Sequence, residues 1–377
     1  MKSKVWLSAT TSAKQWSSNP GALLRSHSNN LIQRHCYPIY KQPTLRSFSV
    51  TPFTKTASST ALVTEEHHLK PLPLFDFFAS APITKTPQYE FAHGASGFAK
   101  RYTTPLQKKQ DHYCSVQNGE DAYFRRSDAI GVADGVGGWT GVSTANAALY
   151  SRKLMHHAYL ELEKFENIED PCFYEYDDVD PVIILRKSYE ESMKEAQQEG
   201  IIGSCTACLA ILRHAELRIA NLGDCGISVI RHNNYVFRSE EQQHSFNFPY
   251  QLGTSSPDKP MDAQSFTVAV EKGDIIIMGS DGLFDNLFDK EILSIVRSHV
   301  SHHTLPGGRL LSIAPQQISD ALAEKAKEVS KSKMNVDCPF QERAVSEGIY
   351  YQGGKADDIS VIVAVVRDCE DSPDRRL

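Results

Sequence analysis

The chain has 377 residues, 41% of them hydrophobic, and a formal net charge of −6 at pH 7. Such a length buries a large core and allows one large domain or two ordinary ones, while no apolar run reaches the length of a membrane-spanning helix, so no transmembrane segment is expected. Eight cysteines are scattered without a framework, which points to a reducing compartment rather than a disulfide scaffold.

The first 64 residues contain eight Lys or Arg and no Asp or Glu, with many Ser and Thr. Trp6, Ala9, Ala13 and Trp16 follow helical spacing, giving this start an amphipathic face. The composition is that of a mitochondrial presequence; the alternative is a basic disordered tail for nucleic acid. Arg46-Ser47-Phe48-Ser49 resembles a matrix-processing site with cleavage after Phe48, so residues 1–48 form the expected presequence. Taking the +8 of the first 64 residues from the total of −6 leaves −14 for residues 65–377. That acidic balance argues against a nucleic-acid partner. Residues 49–90 read as a linker, interrupted by Pro52, Pro71, Pro73, Pro82 and Pro87. A domain is expected over 91–367, with a short tail at 368–377.

Within that domain, Asp121 follows Gly119-Glu120 and opens the strand-like Ala-Tyr-Phe, and the apolar run Ala129 to Ala133 empties into Asp134-Gly135. Ala147, Tyr150, Leu154, Ala158, Leu162 and Phe165 recur at helical spacing, as do Leu185, Tyr189, Met193 and Ala196. Cys205 and Cys208 form C-x-x-C inside an apolar strand-like run, where buried packing is the expected role because no second pair stands at zinc-site spacing. Phe266, Val268 and Val270 alternate as in a half-buried strand. A second apolar run, Ile275 to Met278, leads through Gly279 and Ser280 into Asp281-Gly282, and Asp357-Asp358 opens a strand from Ile359 to Val366.

Asp-Gly is a common turn signal, and four ordinary turns could produce this pattern. The combination raises the alternative that Asp121, Asp134, Asp281 and Asp357 converge. Converging carboxylates repel one another and are tolerable only if cations neutralise them; an all-oxygen set suits Mg²⁺ or Mn²⁺ rather than zinc. Glu120 and Asp358 lie beside proposed ligands, and in an extended strand would point to the opposite face, although a loop could turn both inward. Asp285 could cap a following helix or join an acidic rim.

Asp121, Ala133-Asp134-Gly135, Gly203-Ser204-Cys205-Thr206-Ala207, Ala220-Asn221-Leu222-Gly223-Asp224, Ser280-Asp281-Gly282-Leu283-Phe284-Asp285-Asn286 and Asp357-Asp358-Ile359-Ser360-Val361 fall in one order. In that order the chain resembles the type 2C metal-dependent protein phosphatases, the PPM family, over about residues 91–367. Gly135-Val136-Gly137-Gly138-Trp139, and Glu241-Gln242-Gln243-His244 followed by Phe248-Pro249-Tyr250-Gln251-Leu252, look like the mitochondrial branch of that family. The resemblance implies an α+β fold, a four-layer αββα sandwich of two antiparallel sheets flanked by helices with metals at one end. It also implies two divalent cations, Mn²⁺ or Mg²⁺, held by Asp121, Asp134, the Gly135 carbonyl, Asp281 and Asp357, with Asp358 as a further candidate and Asp224 matching as a turn residue. The implied reaction is hydrolysis of phosphoserine and phosphothreonine by a metal-activated water, with no phosphoenzyme. Implied partners are phosphorylated proteins of the mitochondrial matrix, metabolic and import proteins among them, including ubiquinone-biosynthesis enzymes.

The chain departs from the family pattern twice. Where many relatives carry a histidine after Asp-Gly, this chain has Val136, which leaves His112 and His244 or a metal-bound water to protonate the leaving group. Where many carry a phosphate-binding arginine before Glu-Asp, the stretch Cys114 to Asn118 has no basic residue, leaving Arg125 and Lys108 as substitutes or as solvated surface charges. Two other functions stay open: a pseudophosphatase serving as a binding module, and a phosphatase of small metabolites. The insertions Glu163 to Pro181 and Ser301 to Pro315 are read either as a protein-docking surface or as mobile loops.

Overall fold

Two antiparallel sheets lie at the centre of the protein. In the computed structural model, one sheet has five strands in the order Tyr89–Phe98, Ile359–Asp368, Ile275–Gly279, Gly226–Arg231 and Asn234–Arg238. The other has six: Gln264–Ala269, Glu216–Leu222, Ala207–Arg213, Ala129–Ala133, Asp121–Arg125 and Val116–Asn118. The structure describes residues 87–100, 112–138, 142–305, 308–334 and 336–371, all within one unit of the chain, Phe75–Leu377. The expected presequence, nearly all of the expected linker, residues 372–377, Lys108 and Trp139 lie outside the described residues.

Both faces of each sheet are apolar, so the central strands read as continuous hydrophobic runs while their residues still alternate between two cores. Ile130, Val132, Ile276, Met278, Ile362 and Ala364 point into the layer between the sheets. Their neighbours Ile275, Ile277, Val361 and Val363 point outward against Ile292, Val296, Ile318 and Leu322 of the helices Asp289–His299 and Pro315–Lys331. On the other outer face, Ala129, Leu209 and Ile211 pack against Tyr150, Leu154, Ala158 and Leu185 of the helices Ala147–Glu163 and Pro181–Glu199. The result is the four-layer αββα sandwich. Each wholly buried Leu or Ile in these layers contributes about 1.5–3 kcal/mol relative to exposure.

The helices have local causes as well. Asn146 caps the first by accepting from the Leu149 N–H at 2.9 Å, and Asp180 caps the second from the Val182 N–H at 2.8 Å, with Pro181 at its first position. Gly200, in the left-handed region at φ 68°, ends that helix. The first strand begins at Tyr89, two residues inside the expected linker, because Tyr89 already pairs with Asp368.

The C-x-x-C pair packs as expected, and the reason is visible. Cys205 belongs to the outer core and Cys208 to the layer between the sheets, so the two thiols face opposite sides and share no ligand. Burial pushes both thiols up.

Neither insertion is featureless. Residues 171–178 form a 3-10 helix pinned to the six-stranded sheet by Arg213, whose Nε donates to the Tyr176 carbonyl at 2.9 Å and whose guanidinium lies 3.9 Å from the Tyr176 ring centroid. Val300–Leu305 and Gly308–Ile313 pair as an antiparallel hairpin.

Candidate active site

Strand register brings the four carboxylates to one end of the sandwich. Ala122 pairs with Ala133, so Asp121 and Asp134 lie one step further along two neighbouring strands. Gly279 pairs with Val361, and the Ser280 N–H donates to the Ser360 carbonyl at 3.1 Å, which places Asp281 beside the Asp357-Asp358 turn, both at the end of the five-stranded sheet. The two ends meet: Ser280 Oγ donates to Asp121 Oδ2 at 2.7 Å, and Asn118 Nδ2 donates to the Ile359 carbonyl at 2.7 Å.

Backbone contacts explain two glycines. A Cβ on Gly135 would lie 2.4 Å from the Glu120 carbonyl oxygen, and one on Gly282 would lie 2.0 Å from that of Asp358. Any side chain at either position would push the carboxylate-bearing turns apart. Gly135 is also tied to the short strand Ser204–Cys205 by its bridge to Cys205, with the Thr206 N–H donating to the Asp134 carbonyl at 2.9 Å.

The charges act on one another. Burial, then the charge of Asp358, pushes the Asp121 carboxyl well above the usual range, against the hydrogen bond from Ser280. Asp134 is pushed well up by burial and then by Asp281, Asp121 and Asp357; Asp357 is raised by burial and by Asp281, with Lys355 opposing. Asp121 Oδ1 and Asp281 Oδ1 are buried without a hydrogen-bond partner. Buried, mutually repelling oxygen donors with orphaned lone pairs fit a hard divalent cation of the Mg²⁺ or Mn²⁺ kind. Among the described residues, no three His, Cys, Asp or Glu side chains form a ready ion-binding set.

Asp358 has a structural role that its position in the sequence does not announce. Its Oδ1 accepts from the Lys100 N–H at 2.6 Å and its Oδ2 from the Glu120 N–H at 2.8 Å. With each oxygen accepting from a backbone donor it acts as a strut between three segments, and only its remaining lone pairs are open to a cation. Asp224 carries more than a turn: it lies in the crossover from Glu216–Leu222 to Gly226–Arg231, and burial, then the charge of Asp281, pushes its carboxyl well up. Asp285 joins the acidic rim. It pairs with Lys355 and Arg343, while Glu291 takes the capping role by accepting from the Phe288 N–H at 2.9 Å.

A family model described as Stage II sporulation protein E (SpoIIE) matches residues 129–367. The protein phosphatase PTC7 homolog of Xenopus laevis is 33% identical over 308 residues, covering 78% of this chain and 95% of that protein. The human PTC7 homolog is 34% identical over 297 residues, covering 75% and 89%. The chain belongs to the type 2C metal-dependent protein phosphatase family. Among plant type 2C relatives, the Arabidopsis thaliana protein named probable protein phosphatase 2C 80 is 38% identical over 251 residues, covering 66% of this chain but only 54% of its own length. The chain therefore spans about half of that relative. The X-ray structure of the photosystem II phosphatase PBCP superposes with a TM-score of 0.58 at 31% identity, covering 74% of this chain and 99% of that one.

Several contacts around this carboxylate cluster were not legible in the sequence. Lys355 Nζ bonds Asp281 Oδ2, lies 2.6 Å from Asp285 Oδ2 and 3.4 Å from Asp357 Oδ2. Asn286 clamps the Lys355 backbone from both sides, its Oδ1 accepting from the N–H and its Nδ2 donating to the carbonyl, each at 3.0 Å. Arg343 bridges Asp285 and Glu241. The two histidines read as candidate proton donors have these neighbours: His244 bonds Asp258 at 3.0 Å and stacks on Tyr250, while His112 packs against Tyr113 and His156. Arg125 lies 6.0 Å from the Tyr123 ring centroid.

Proposed function

We propose that this chain is a metal-dependent serine/threonine phosphatase that hydrolyses phosphoserine and phosphothreonine on mitochondrial proteins. One observation carries the reading: carboxylates from both sheets meet at one end of the sandwich, and two of them keep a buried oxygen without a partner. Asp121, Asp134, Asp281 and Asp357, with the Gly135 backbone, would hold two divalent cations, Mn²⁺ or Mg²⁺. Bound there, such ions supply an acidified water and neutralise charge on a phosphoryl group.

The chain's own residues set the conditions for that chemistry. Ser280 orients Asp121, and the Asp358 strut fixes the Glu120 turn that precedes it. Glycines at 135 and 282 let the two carboxylate-bearing turns approach closely. The acid-free first 64 residues support import, and the mitochondrial matrix is the proposed location.

Phosphate release from a phosphothreonine peptide by the full chain, with Mn²⁺ or Mg²⁺ and with EDTA, tests the activity, and a sugar phosphate in parallel tests the small-metabolite alternative. Metal-dependent turnover of the peptide, lost in Asp134→Asn and Asp281→Asn, is expected. No turnover by folded protein with either ion would favour a binding module. A fluorescent fusion of residues 1–64 tests the location, and diffuse cytosolic signal would refute it.

A further inference from the structure

Lys355 touches three carboxylates, two of which, Asp281 and Asp357, are proposed metal ligands. Its side chain is 13% exposed, so the ammonium has exchanged most of its water for those oxygens. Its backbone is fixed on both sides by Asn286, and Asn286 is itself tied to the Gly282 carbonyl at 2.9 Å. Only the four-carbon side chain is then left to change partners. A second perch is at hand: the Phe340 ring lies beneath the ammonium, 5.0 Å from Nζ to its centroid.

The partners of Lys355 are not equivalent. Asp285 is also bonded by Arg343, so it stays compensated if Lys355 leaves. Lys100 stands 3.4 Å from Asp357 but is 44% exposed, and it does not reach Asp281. Departure of Lys355 therefore uncovers mainly Asp281, whose other oxygen is already orphaned, and partly Asp357. A single ammonium brings one positive charge to this pair of carboxylates, whereas a divalent ion brings two. Both draw on the same oxygens.

We infer that Lys355 is a tethered counter-cation that competes with the divalent ion for Asp281 and Asp357, holding these turns together and setting the metal concentration at which the site loads. The inference rests on the reading of this cluster as a metal site. The exchange is a substitution of one cation by another and needs no further reactant.

Isothermal titration calorimetry of Mn²⁺ into the full chain tests it, with wild type, Lys355→Met and Lys355→Arg compared at one neutral pH. Asp281→Asn identifies the heat that belongs to this site. Removal of a positive charge in direct contact with two ligands should tighten Mn²⁺ binding by about tenfold or more, and Lys355→Arg, which keeps the charge, should stay within about twofold of wild type. In EDTA, Lys355→Met should unfold at a lower temperature than wild type, and saturating Mn²⁺ should close that gap. Recovery of folded Lys355→Met only in the presence of Mn²⁺ supports the same conclusion. Binding by wild type that Lys355→Met leaves unchanged or weakens overturns the inference while leaving the metal site standing. No binding by either protein overturns both. A Lys355→Met protein that stays unfolded with and without Mn²⁺ also overturns it, since the ammonium would then be irreplaceable by a divalent ion.

Discussion

Ser280 Oγ donates a 2.7 Å hydrogen bond to Asp121 Oδ2, joining the end of the five-stranded sheet to the start of a strand in the six-stranded one. Asp121 is fully buried, and its other oxygen has no partner. Ser280→Ala should therefore cost about 1–3 kcal/mol, because it strips a buried carboxylate of its side-chain donor. Thermal or urea unfolding measures this, and phosphatase activity should fall with it as Asp121 loses its orientation.

Asp134→Asn should move activity and stability in opposite directions. Burial and four neighbouring carboxylates raise the Asp134 carboxyl, so its charge opposes folding at neutral pH. Removing that charge should raise stability in EDTA by about 1 kcal/mol while lowering turnover by about a hundredfold or more. Equal activity in the two proteins would remove Asp134 from the mechanism.

His156 should govern part of the acid limb of stability. Burial, with His157 and His112 beside it, lowers its imidazole from 6.5 to about 4, and Nδ1 accepts from the Cys114 N–H at 3.1 Å. The unfolded chain binds the additional proton between those values, so this contribution is complete above 6.5 and is lost as the pH falls toward 4. His156→Gln, which keeps an acceptor, should lose about 1–3 kcal/mol less than wild type across that window. Urea midpoints at a series of pH values check the sign.

Arg213→Met should loosen the 163–181 insertion. The guanidinium is buried, bonds Asp128 Oδ2 at 2.9 Å and holds the Tyr176 carbonyl and ring. Leaving Asp128 with only Arg126 as its cationic partner should cost about 3–5 kcal/mol. Limited proteolysis should then cut within residues 164–180 faster than in wild type, and unchanged cutting would show that the segment does not depend on this anchor.

The readable features were those written locally. Two apolar runs leading to Asp-Gly located Asp134 and Asp281, and periodicity located both helices on the outer face of the six-stranded sheet. Opposite-facing packing explains why the C-x-x-C pair is inert. Lys355 was opaque because Gly354-Lys355-Ala356-Asp357 reads as a polar connection, and only the tertiary fold shows its ammonium among three carboxylates. The strut made by Asp358 was opaque for a related reason: its partners, the Lys100 and Glu120 N–H groups, are more than two hundred residues away in sequence, at separations of 258 and 238. Tyr176 and Arg213 meet across 37 residues, so nothing near the insertion announces that it is pinned.

The carboxylates come in pairs, Asp121 with Asp134 from one sheet and Asp281 with Asp357 from the other. The distance between pairs is thus set by the thickness of the side-chain layer formed by Ile130, Val132, Ile276 and Met278. A methyl group added or removed in that layer changes the spacing of the two jaws, so conservative substitutions deep in the sandwich should appear as defects in the geometry of the proposed ion site long before they unfold the protein.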